Sequence, residues 1–232
     1  MNEDDYGVFI PINKSLGKYE KQVIPYVVFK HFIEKASNIV MMKNCGCRNG
    51  RCKDHDQSIG CMYMGTDTIE LKVPENRGSV VTQEEAMAHV DKAIKNGLIP
   101  LLGRAMDEAE GFGVPDTGHF LSMCFCCPCC CIDGVIVTNA SASLNIFHRM
   151  DGLTVGPVDE DLCTGCEECL DVCVFKGIEM IDDKAFIRDN YCLGCGRCES
   201  VCPSGAISII LDNKTSRVKE IIKKIESHVE VS

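Results

Sequence analysis

Apolar residues recur at Val28, Phe32, Ile33 and Ala36, three to four positions apart, and predict a helix over Pro25 to Ala36. Pro25 suits its first turn, where a missing N–H costs nothing. Asn38 to Met42 then reads as a short strand that delivers the chain to Cys45. Thr82 with Glu85 three residues on forms a capping box, which opens a helix running to about Asn96. Gly97 suits the stop of that helix, and the apolar run Leu98 to Leu102 follows as a buried extended segment. Lys214 to Val229 carries Val218, Ile221, Ile222 and Ile225 on one face and predicts an amphipathic helix, expected to pack on its own domain.

An internal repeat of 29 residues occupies the C-terminal third. Asp161 to Cys173 aligns without a gap on Asn190 to Cys202, and Ile178 and Ile181 align with Ile207 and Ile210, so the flanking strands repeat too. Each half reads C-x2-C-x2-C-x3-C: Cys163, Cys166, Cys169 and Cys173, then Cys192, Cys195, Cys198 and Cys202.

Cysteine changes the picture most, at 18 of 232 residues. The N-terminus is acidic and lacks the basic then apolar pattern of a secretory signal, and no apolar run is long enough to span a membrane. The expectation is a soluble, cytoplasmic protein, in which so many thiols hold metal rather than disulfides. A formal charge of −10 argues against a nucleic-acid partner. It suits docking onto the basic face of a larger redox protein. Nucleotide-binding and hydrolytic motifs are absent: no GxGxxG after a strand, no phosphate loop, no HExxH. Gly111 to Gly113 reads as a turn.

The C-x2-C-x2-C-x3-C repeat resembles the bacterial two-cluster ferredoxins over about Leu153 to Asp212. That resemblance implies two [4Fe–4S] clusters: cluster I on Cys163, Cys166, Cys169 and Cys202, and cluster II on Cys192, Cys195, Cys198 and Cys173. Pro203 follows the fourth cysteine of the second half as in that family, whereas Val174 stands in the first; a fixed turn angle is lost there, not a ligand. Glu167, Glu168 and Asp171 lie in the first half where the second has Gly196, Arg197 and Ser200. Carboxylates oppose added negative charge and an arginine favours it, so cluster I is expected at the lower potential.

Ten cysteines remain. Cys45, Cys47, Cys52 and Cys61 form one group, which suits either Zn²⁺ or a cubane. Arg48 would compensate a thiolate-ligated cluster, and His55 is a lesser candidate ligand. Cys124, Cys126, Cys127, Cys129, Cys130 and Cys131 crowd into the string CFCCPCCC. Neighbours in extended chain face opposite ways and Pro128 bends the path, so one segment could serve two metal centres or both flanks of a larger cluster. The ten imply one or two further iron–sulfur clusters, with the ligand assignment open. The CxCR motif, capped helix, CFCCPCCC string and two-cluster segment, taken together from about Pro25 to Asp212, resemble the 4Fe–4S dicluster-domain proteins of anaerobic bacteria and methanogenic archaea.

The expected fold class is α+β: a mixed α/β cysteine-rich module over residues 1–152, a ferredoxin-like unit over 153–212 and a C-terminal helix over 213–232. The resemblance implies a low-potential electron carrier that serves a partner redox enzyme. The alternative is an oxidoreductase with an atypical iron–sulfur centre at Cys124–Cys131, where His119 or Arg104 could meet a substrate.

Overall fold

The computed structural model describes residues 6–9, 24–104, 106–131 and 147–232. They form an α+β protein built on a seven-stranded sheet. Its strands are β1 (Tyr6–Phe9), β2 (Ile39–Met42), β3 (Met62–Met64), β4 (Gly78–Val80), β5 (Ile99–Arg104), β6 (Leu121–Cys126) and β7 (Phe147–Arg149), in the spatial order β4-β2-β3-β6-β5-β1-β7. Pairing is antiparallel except between β1 and β7. The expected strand after Asn38 is β2, and the expected buried segment is β5, held between β1 and β6.

Two longer helices cover the sheet. Helix α1 (Ile24–Lys35) buries Val28, Phe29, Phe32 and Ile33 completely or nearly so. Helix α2 (Gln83–Lys95) buries Ala86, Val90 and Ala93 and begins with the expected capping box, in which Thr82 and Glu85 each satisfy the other's backbone N–H. Gly97 follows at φ +79°, a left-handed turn that glycine enters without the penalty of a Cβ. Helix α3 (Met106–Gly111) leads into a turn at Phe112 and Gly113, as read from the sequence.

The repeat folds as two copies of one loop and short helix, α4 (Glu168–Asp171) and α5 (Arg197–Val201). Each helix is entered through a left-handed residue at equivalent positions, Glu167 at φ 64° and Gly196 at φ 79°. The copies are flanked by two small antiparallel ladders. One pairs β9 (Ile178–Ile181) with β10 (Lys184–Ile187), and the other pairs β8 (Leu153–Val155) with β11 (Ile209–Leu211).

Helix α6 (Lys214–Glu226) departs from expectation. Val218, Ile221 and Ile225 are buried with Ile222 beside them, but this face joins the main core together with α1. His31 and Lys35 of α1 reach Glu226 at 3.0 and 3.2 Å, and Ser37 donates its backbone N–H to Val231 O. The main core that takes up this face holds the apolar stripe of α1 together with Leu153, Val174, Phe175 and Leu193 of the two-cluster segment.

Candidate metal centres

Sixteen of the 18 thiols fall into four quartets. In the repeat, Cys163, Cys166, Cys169 and Cys202 line one cavity, and Cys173, Cys192, Cys195 and Cys198 line another, each quartet drawing its fourth cysteine from the other half. Cys169 and Cys198 sit within α4 and α5, and Cys173 and Cys202 come where those helices end. The remaining walls are mostly apolar: Val155, Phe175, Ile178 and Ile187 with Arg197 about the second cavity, Met180, Ala185, Ala206 and Ile207 with Thr164, Glu167 and Ser204 about the first. Burial pushes the Cys195 thiol up to about 12 and Cys198 upward as well, since a lone thiolate there would lose its water. A metal reverses that preference by holding the deprotonated form.

The remaining cysteines do not sort by sequence group. Cys52 leaves Cys45, Cys47 and Cys61 and joins Cys127, Cys129 and Cys130, with all four sulfurs within 4.8 Å of one another. In its place Cys124 comes to Cys61 at 3.3 Å, and Cys45 hydrogen-bonds both Cys47 and Cys61. Strand β6 makes this exchange possible. Cys124 lies within β6 opposite Leu101, while Cys127 to Cys130 lie beyond its end, where Pro128 turns the chain. The CFCCPCCC string therefore contributes thiols to two separate groups. Cys126 and Cys131 are buried in the main core.

The loop from Cys52 to Cys61 is pinned to α2. Asn96 Oδ1 accepts the Asp56 N–H at 3.0 Å, Lys92 meets Asp56 at 2.8 Å, and His89 Nε2 lies 2.9 Å from Gly60 O. Hydrogen bonds from Cys47 and then Cys61 hold the Cys45 thiol at about 2, with Arg48 aiding. Burial pushes Cys129 up to about 12. His55 stands outside the compact quartet with Nδ1 3.6 Å from Cys52 Sγ and 3.7 Å from Cys129 Sγ, a partner to sulfur rather than a replacement for one.

Two arginines test whether anionic metal centres fit here. Arg48 is 1% exposed; it donates to Phe125 O at 2.5 Å and to Ile59 O, and among the described residues its Nε has no hydrogen-bond partner. Arg197 Nη1 is also buried with no partner among the described residues, and its guanidinium is within electrostatic reach of Cys195, Cys127 and Cys129. It packs over Gly97, where a Cβ would stand 3.1 Å from Nη2. Buried cations need compensating negative charge. Thiolate-ligated metal supplies it at both positions, so the residues present fit such groups.

Sequence reading missed Arg149, which hydrogen-bonds Cys192 and pairs with Asp189 at 2.5 Å. No local signal marks it, because its partner Cys192 lies 43 residues further along the chain. His119 is bound into a turn, its ring Nδ1 3.0 Å from Thr117 Oγ1 and its N–H on Asp67, which gives it a structural role. Arg104 ends β5 rather than starting a helix. Glu167, Glu168 and Asp171 are exposed.

Residues 162–206 match the family model of the 4Fe-4S dicluster domain. The chain thus carries a 4Fe–4S dicluster domain, and iron–sulfur electron transfer is its chemistry; the grouped cysteines support multiple [4Fe–4S] clusters. No curated protein matches the chain. Among the described residues, no helix is long and apolar enough to cross a membrane.

Proposed function

We propose that this chain is a low-potential electron carrier that exchanges single electrons with a partner redox enzyme in an anaerobic, cytoplasmic setting. Cys163, Cys166, Cys169 and Cys202 would hold cluster I, and Cys173, Cys192, Cys195 and Cys198 cluster II. Cys52, Cys127, Cys129 and Cys130 would hold a third centre, and Cys45, Cys47, Cys61 and Cys124 a fourth. When bound, the clusters supply one-electron oxidation and reduction.

The observation that carries the reading is the position of Arg197, half-buried with its Nη1 enclosed and within electrostatic reach of Cys195 as well as Cys127 and Cys129. It joins the repeat to the cysteine-rich module through side chains rather than a linker. A groove lined by His55, Cys129, Asp171 and Cys173 runs along the same junction. In the cluster I half Cys166 is exposed, as are Glu167, Glu168, Asp182 and Asp183, with Leu162, Ile181 and Phe186 also open to solvent. An acidic, partly apolar face over cluster I suits a basic docking face on a partner.

A second reading is favoured by one feature. A cavity of about 360 Å³ opens over Cys45 and Cys61, bounded by Asn44, Asn49, Tyr63, Arg77 and Phe112. That volume admits a small molecule and suits an oxidoreductase whose catalytic centre uses Cys124.

Iron and sulfide counting with an EPR-monitored redox titration of anaerobically purified protein tests both. Reversible one-electron couples from fully thiolate-ligated cubanes support the carrier. A centre with a non-cysteine position favours the enzyme. Colourless protein holding zinc alone, or no metal, overturns both.

A further inference from the structure

The quartet of Cys52, Cys127, Cys129 and Cys130 differs from the others in scale. Its sulfurs stand 3.3 Å apart for Cys52–Cys129 and Cys127–Cys130, 3.4 Å for Cys127–Cys129 and 4.0 Å for Cys129–Cys130. Among the described residues, this is the one group of three or more thiol, imidazole or carboxylate side chains whose ligand atoms all lie within 4.8 Å. A single ion bound tetrahedrally by four thiolates at about 2.3 Å sets its sulfurs about 3.8 Å apart, since the edge of a tetrahedron is roughly 1.6 times its centre-to-corner distance. The observed separations bracket that value.

A cubane asks for something else. It interposes four irons and four sulfides between its ligands and holds them wider. The two ferredoxin-like quartets are wider, since among the described residues no three of their sulfurs lie within 4.8 Å of one another. The Cys45, Cys47, Cys61 and Cys124 quartet is likewise looser, because no three of its sulfurs meet the same 4.8 Å limit.

Local covalent structure favours the compact arrangement. Cys127, Cys129 and Cys130 fall on one turn around Pro128, so three donors converge from four residues. Cys52 closes the fourth corner from the loop anchored on α2, where the Arg48 carbonyl holds its backbone N–H at 3.0 Å. His55 Nδ1, at 3.6 and 3.7 Å from two of the sulfurs, can hydrogen-bond thiolate charge from outside the tetrahedron, as does Arg197 electrostatically. The set is closed by four soft ligands, which matches a structural tetrathiolate rather than a catalytic site with an open position.

We infer that Cys52, Cys127, Cys129 and Cys130 bind one mononuclear ion, Zn²⁺ or iron, rather than a cubane. This rests on the reading that these cysteines hold metal, and it gives the centre a separate task. Zinc has no redox chemistry and would fasten the Cys52–Cys61 loop to the end of β6 beside cluster II. Iron at the same site would add a one-electron step there.

Metal and acid-labile sulfide analysis of the full chain, purified without oxygen, tests the inference. The expected result is one ion per chain unaccompanied by sulfide: either one zinc, or iron exceeding sulfide by one. X-ray absorption at the zinc edge, when zinc is found, should show a single shell of sulfur with no neighbouring metal. The Cys52→Ser/Cys129→Ser variant should lose that ion while keeping its sulfide content and cubane EPR signals. Iron equal to sulfide with no zinc in the unsubstituted protein overturns the inference, as does a variant that loses four irons together with four sulfides. A variant that fails to fold leaves the unsubstituted protein's ratio to decide. Loss of the cubane signals from the unsubstituted protein is a different outcome and would sink the electron-transfer reading instead.

Discussion

Replacing Arg197 by Met should lower the potential of cluster II and bring it to or below that of cluster I. Two opposing terms act on cluster II. Cys195 and Cys198 are buried, and exclusion of water disfavours the extra electron; Cys166 of cluster I is exposed. Arg197 works the other way, as a cation with a buried Nη1 beside Cys195. Arg149 also touches Cys192, but Asp189 neutralises much of its charge. With an effective dielectric constant of about 20 and a separation of about 6 Å, a unit charge is worth about 2.8 kcal/mol, or about 120 mV for one electron. Arg197 is half-buried overall, and solvent screening reduces this to roughly 60 mV. The assay is EPR-monitored potentiometry of Arg197→Met and Arg197→Lys, with Lys expected to retain part of the effect as a point charge without the planar fork. Glu167→Gln/Glu168→Gln is the companion measurement. It should raise cluster I, but by less, because both carboxylates are exposed. A shift in Arg197→Met smaller than about 20 mV, or an upward one, would refute the electrostatic account.

Thr82→Ala removes the hydroxyl that accepts the Glu85 N–H at 3.2 Å and should cost about 1 kcal/mol, a fall of roughly 2–4 °C in an anaerobic thermal melt. An unchanged melt would mean that tertiary packing alone holds the start of α2. Arg48→Met leaves the carbonyls of Phe125 and Ile59 without their guanidinium donor and removes the buried cation beside Cys45. It should destabilise the cysteine-rich module by about 2–4 kcal/mol and reduce its metal content while the cubanes of the repeat keep their EPR signals. Full metal retention with an unaltered melt would contradict that role.

Much of this protein is written locally. The period of apolar residues gives α1 and α6, and the reciprocal hydrogen bonding of Thr82 and Glu85 gives the start of α2. The C-x2-C-x2-C-x3-C spacing gives two equivalent loops and helices, because identical local sequence favours the same backbone path twice. Each of these depends on interactions within a few residues, which is why a linear reading finds them. The ten other cysteines obey a different rule. Cys45, Cys47, Cys52 and Cys61 look like one site in the chain, yet Cys52 parts from the rest because β3 and β6 pair at Met62 and Met123 and bring Cys61 beside Cys124. The turn at Pro128 then presents Cys127, Cys129 and Cys130 to Cys52 instead. Strand register is a long-range property, set by which apolar faces the whole core can bury, and no spacing within either motif encodes it. The same holds for α6, whose apolar stripe is plain in the sequence but whose packing beside α1 in the main core is a long-range contact that the stripe does not specify. The arginines divide in the same way: Arg48 and Arg197 are marked by the cysteines beside them in the chain, whereas only tertiary packing encloses Arg48 and brings Arg149 to Cys192.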